Sequence, residues 1–140
     1  MTLVYRKLFI RKSFARFGRK ETSLDKLPAR QSLLESAYAA FNARDIDGAL
    51  RVMTPDVEWP NGMEGGYVHG HTEVRAYWTR QWGMIDPHVQ PVGFAVRPDG
   101  RVEVMVHQVV RSLTGEVLVD QTVRHVYTFD HDLVRRMDIE

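Results

Sequence analysis

Histidine 125 is the residue whose type and neighbours best fit acid/base chemistry. On an extended strand it shares a face with Gln121, Val123, Tyr127 and Phe129, an apolar wall with a few polar points. Imidazole titrates near neutrality, so His125 can donate or accept a proton near pH 7. The same position also suits a core histidine that hydrogen-bonds a neighbour and does no chemistry. Trp59, Tyr77, Trp78 and Trp82 form a second group, able to cage a flat ligand or simply to fill the core. His69-Gly70-His71 resembles a two-ligand metal fragment, but the sequence places no third ligand, so no metal and no cofactor are expected. There is no cysteine, which removes thiolate nucleophiles, thiolate metal sites and disulfides. Gly65-Gly66 lacks the lysine and the strand–helix setting of a phosphate loop, and no serine sits in a nucleophile elbow.

These residues need a scaffold, and 140 residues supply one domain with one core. No apolar run reaches the roughly 20 residues of a membrane-spanning helix, and a cytoplasmic location is expected. The net charge of +1 hides an asymmetry. Residues 1–30 carry nine Lys/Arg against two acids, net +7, which leaves the remainder of the chain at −6. An acidic domain argues against nucleic acid as a partner. The division expected is a basic arm over residues 1–24 and a domain over 25–140. Within the arm, residues 1–20 interleave seven cations with Tyr5, Leu8, Phe9, Ile10, Phe14 and Phe17. That pattern suits a tail, a transit peptide, or weak contact with an anionic membrane surface.

Periodicity changes along the domain. A first helix is expected to enter through Asp25 and Leu27-Pro28 and to run to Asn42, with Leu33, Leu34, Ala37, Tyr38 and Phe41 at helical spacing. A second, over residues 43–53, presents Ile46, Leu50 and Met53, and Thr54-Pro55-Asp56 breaks it before a short strand, Val57-Glu58-Trp59. A third helix, capped by Thr72, buries Val74, Tyr77, Trp78 and Trp82. After Asp86-Pro87 the period is two, giving strands over 89–96, 102–110, 117–129 and 133–139. Helices followed by antiparallel strands define an α+β domain. In strand 102–110 the even-numbered face (Val102, Val104, Val106, Gln108, Val110) is the more apolar and is expected inside, with Glu103 and His107 outside or at a dimer interface; a one-residue slip would instead let Glu103 reach His125 as a carboxylate–imidazole pair.

AYAAFNARDIDGALRVMTPDVEW, GHTEVRAYW and RHVYTFDHDLVRRMDIE, with their spacing, resemble the SnoaL-like branch of the NTF2-like superfamily over about residues 31–140. The resemblance implies a cone: three N-terminal helices packed on a strongly curved, mostly antiparallel sheet around an internal cavity. It also implies a homodimer through the outer sheet face. Of the ketosteroid isomerase set, the base aspartate position holds Asn61, the tyrosine position Ala37 with Tyr38 beside it, and the second acid position His125. An amide is no base, so steroid isomerisation is not expected. In polyketide cyclases of this type, the position of His125 resembles the one carrying the acid/base aspartate. The resemblance therefore implies a small apolar or aromatic ligand and cofactor-free cyclase, isomerase or dehydratase chemistry at His125. Trp59, Asn61, Tyr127, Tyr38, Gln108 and Trp82 would contact the ligand. The alternative is a non-catalytic dimeric interaction module.

Overall fold

The protein is described by a computed structural model over residues 21–140; the expectations for the basic stretch 1–20 lie outside the described residues. The elements are α1 (Ser23–Asn42), α2 (Ile46–Leu50), β1 (Met53–Pro60), β2 (Tyr67–His69) and α3 (Gly70–Trp82), followed by β3 (Asp86–Val96), β4 (Val102–Arg111), β5 (Val117–Asp130) and β6 (Leu133–Ile139). The strands form one curved, unclosed sheet in the order β2-β1-β6-β5-β4-β3, antiparallel except for β1 against β6, and the helices pack on its concave side. This is the α+β architecture expected from the sequence.

Four local expectations are corrected. Helix α1 begins three residues earlier, because Thr22 and not Asp25 caps it. The Thr22 hydroxyl accepts from the Asp25 amide (3.2 Å), and the Asp25 carboxylate accepts from the Thr22 amide (3.0 Å). Pro28 consequently lies inside the helix. The bond its missing N–H forgoes belongs to the carbonyl of Leu24, an exposed residue. Helix α2 stops at Leu50, and Met53-Thr54-Pro55-Asp56 belongs to β1. Pro55 is tolerated there because β1 and β6 shift register between Met53 and Glu58, so no ladder bond is required of it. Finally, α3 is not capped by Thr72. Gly70, at φ +77°, turns the chain straight from β2 into the helix, and the Glu73 carboxylate accepts from the His69 amide (3.0 Å).

The concave face follows the valine parity. Val102, Val104 and Val106 are fully buried, and directly opposite them on β5 stand Tyr127, His125 and Val123. Met137 and Ile139 of β6 extend the Tyr127 and His125 rows. A slip of one residue would expose three valines at about 1.5–3 kcal/mol each, so burial fixes the register and with it the side from which His125 is presented. From the other side α1 supplies Leu34 and Tyr38, one turn apart and both buried. Asn42, at the end of α1, ties the helix to β3 by donating to the Val89 carbonyl (2.7 Å) and accepting from the Val89 amide (2.9 Å).

Candidate functional site

Three buried side chains meet between α1 and β5. The Tyr127 hydroxyl donates to the Tyr38 hydroxyl at 2.7 Å, and the Tyr38 hydroxyl lies 2.8 Å from His125 Nδ1. The strand period puts His125 and Tyr127 on one face, and the rotation of α1 brings Tyr38 between them. With one proton per hydroxyl, Tyr38 has only its own to give once it accepts from Tyr127. It therefore donates to Nδ1, and His125 carries its proton on Nε2. Burial enforces this state. It lowers the His125 pKa to about 4, and it raises both tyrosines well above their ordinary range, with the neighbouring Tyr127 adding to the rise at Tyr38. At neutral pH the row is uncharged, and its one remaining donor on imidazole is Nε2–H, which makes no hydrogen bond among the described residues. Such a group polarises a carbonyl or holds a hydroxyl oxygen; it is a poor proton acceptor.

Trp59 extends this cluster. Its ring lies 6.4 Å from Tyr127 and 5.5 Å, edge to face, from Trp78. Of the residues expected at the site, the fold therefore gathers Tyr38, His125, Tyr127 and Trp59. The other three are placed elsewhere. Asn61 builds the loop after β1, where its Oδ1 accepts from the amides of Met63 (3.2 Å) and Glu64 (2.9 Å). Gln108 lies four positions along β4 from the row of His125, and accepts from Gln121 at 3.3 Å. Trp82 stacks on Trp78 and packs against Phe41, with the Arg44 guanidinium 4.8 Å over its ring and its indole nitrogen sealed without a partner.

The remaining candidates face away from this cluster. Glu103 stands opposite Val126, not His125, and pairs with Arg97 (3.0 Å) and Arg124 (3.2 Å) on the convex side. His107, also convex, bonds Asp120 at 2.7 Å. Glu58 turns from Trp59 and pairs with Arg136. His71 Nε2 is 3.1 Å from the Met53 carbonyl, and among the described residues no three His, Cys, Asp or Glu side chains gather as a metal site.

Between helices and sheet, Tyr38, His125 and Tyr127 are all buried and Trp78 is nearly sealed. Two openings flank α1. One, of about 330 Å³, runs between Glu35, Tyr38, Ala39 and Asn42 of α1 and Gln90, Pro91 and Phe94 of β3. The other, of about 310 Å³, is lined by Leu27, Pro28, Gln31, Ser32 and Glu35. Tyr38 thus belongs both to the buried row and to the first groove. Sequence reasoning missed Glu35 altogether. It also aligned Ala37 with the isomerase tyrosine, whereas Tyr38 is the residue that turns inward; the one-turn spacing from Leu34 was the available signal.

The topology is that of an NTF2-like domain. The SnoaL-like domain family matches residues 34–137, and the chain belongs to that family. Among solved structures, TerC co-crystallized with polyporic acid is 29% identical with a TM-score of 0.70, covering 80% of this chain and 90% of its own. An NTF2-like protein of unknown function from Burkholderia pseudomallei K96243 is 27% identical, with a TM-score of 0.70 over 80% of this chain and 89% of that one. A polyketide cyclase-like protein from Xanthomonas campestris pv. campestris, 18% identical with a TM-score of 0.65, covers 80% of this chain and 89% of its own and shares the fold. No relative was found among curated proteins. No described helix is long and apolar enough to cross a membrane.

Proposed function

We propose that the chain binds a small aromatic or apolar molecule beside Tyr38 and His125, and acts on it by cofactor-free proton chemistry of the cyclase, isomerase or dehydratase kind. The observation that carries this reading is the row Tyr127–Tyr38–His125, whose middle member also lines the groove between α1 and β3. Three buried hydroxyl and imidazole groups in series are a costly arrangement for packing alone, because each must be satisfied by the next. His125 is the proposed catalytic residue. Its Nε2–H would hold the ligand's carbonyl or hydroxyl oxygen, while Tyr38 and Tyr127 keep Nδ1 occupied and the imidazole neutral. Trp59 would form a wall. The TerC neighbour, crystallized with polyporic acid, supports a ligand of aromatic type.

The test is titration with neutral aromatic ketones and with simple phenols, following the His125 ring resonance and the Trp59 indole signal. Saturable movement of both in the wild type, with the Trp59 movement lost in His125→Asn and Tyr38→Phe variants that remain folded, is the expected result. No movement with any aromatic ligand would overturn the reading.

A second reading is favoured by the burial of Tyr38, His125 and Tyr127: a non-catalytic dimeric interaction module that uses the fold as a scaffold. The mass of the protein in solution, with and without a co-purifying partner, distinguishes it. Under that reading the protein is a dimer, and aromatic ligands leave His125 undisturbed.

A further inference from the structure

The groove between α1 and β3 has a charge character that the buried row lacks. Glu35 accepts from Gln31 Nε2 at 2.9 Å, and among the described residues no cation pairs with it. It stands one turn before Tyr38 and Ala39 on α1, and the facing wall is Pro91 and Phe94. Asn42 is neutral and held at both ends of its amide by Val89, so it adds no charge to the groove. The ligand-facing chemistry is therefore one carboxylate, the neutral amides of Gln90 and Asn42 and two aromatic rings, with Glu35 the single charged group of the lining, in a space of about 330 Å³ that fits a small molecule. A carboxylate beside aromatic faces favours a positive charge twice over, by Coulomb attraction and by the ring quadrupoles. The net charge of −6 over residues 31–140 adds a field of the same sign.

We infer that this groove selects an organic cation, an amine carried on an apolar or aromatic body, and that Glu35 is the specificity-determining residue. The inference rests on the ligand-binding reading above and sharpens it to a ligand class. A carboxylate-bearing ligand of the same shape is disfavoured, because its charge would face Glu35 with no lining cation to offset it.

The experiment uses the full chain and three probes on the same phenylethyl body: 2-phenylethylammonium, 2-phenylethanol and 3-phenylpropanoate. Binding is followed by amide shifts of Ala39, Gln90 and Phe94. The cation is expected to bind at these positions and the carboxylate to bind weakest. Glu35→Gln should weaken the cation about three- to fivefold, as an exposed charge pair predicts, and leave the alcohol unchanged. Ala39→Trp, which fills the groove from an exposed helix position, should abolish all three. Equal binding of the three probes in the groove would overturn the selectivity while leaving ligand binding intact. Cation binding that shifts other amides, or that survives Glu35→Gln undiminished, would also overturn it. If no probe moves these amides, the inference and the groove as a ligand site both fall.

Discussion

Acid should loosen this fold through His125 before it does so through the carboxylates. The imidazole titrates near 6.5 in an unfolded chain and at about 4 when buried here. Between those values the unfolded chain binds the extra proton and the folded one refuses it, so stability rises with pH across the window. The contribution is complete above pH 6.5 and is lost as pH falls to about 4. The full difference is worth about 3 kcal/mol, of which about 2 kcal/mol is gone by pH 5. In urea that loss lowers the unfolding midpoint by about 1 M for a slope typical of a small domain. The lowered carboxylates of Asp47, Asp99, Asp138 and Glu140 act in the same direction but at lower pH, and they are common to wild type and variant. His125→Asn is the control: its Oδ1 falls near the place of Nδ1 and can still accept from Tyr38, but it cannot ionise. Urea unfolding at pH 7, 6, 5 and 4.5 should therefore show a steeper decline for wild type than for the variant. Parallel declines would refute the claim that a neutral, buried His125 is built into the fold.

Three other perturbations probe the same framework. Tyr38→Phe strands the Tyr127 hydroxyl and His125 Nδ1 together and should cost about 2–4 kcal/mol, whereas adding Tyr127→Phe should cost less than the sum of the two single changes; additivity in thermal or urea unfolding would show that the row is not a unit. Gly70→Ala must hold φ near +77° with its Cβ 3.3 Å from the Pro55 carbonyl, and should lose about 1–2 kcal/mol, read as a lower melting temperature. Asn42→Ala removes both bonds between α1 and β3 and should destabilise by about 2 kcal/mol, with faster amide exchange at Val89 than at strand residues distant from the helix.

Much of the architecture was legible because it depends on short-range periodicity. The alternation of Val102, Val104 and Val106 named the concave face of β4, and the same parity on β5 put His125 and Tyr127 together. The misses share a physical cause. Whether Met53 ends a helix or starts a strand depends on its pairing with Val134, far along the chain, and the start of α3 depends on a positive φ at Gly70 that no pattern at Thr72 reveals. Asn61 appears free to meet a ligand until the loop closes and its oxygen takes two amides.

The candidate site divides in the same way. Residue type and strand parity alone determined that an imidazole and a phenol share a buried β5 face. Tertiary structure decided that Tyr38, 87 residues before His125, supplies the group between them. A helix turns about 100° per residue, so the choice between Ala37 and Tyr38 belongs to the docking of α1 against the sheet, not to its sequence spacing. The placement of Glu35 over the groove has that same origin: once Leu34 and Tyr38 are locked into the core, Glu35 is left at the edge facing β3.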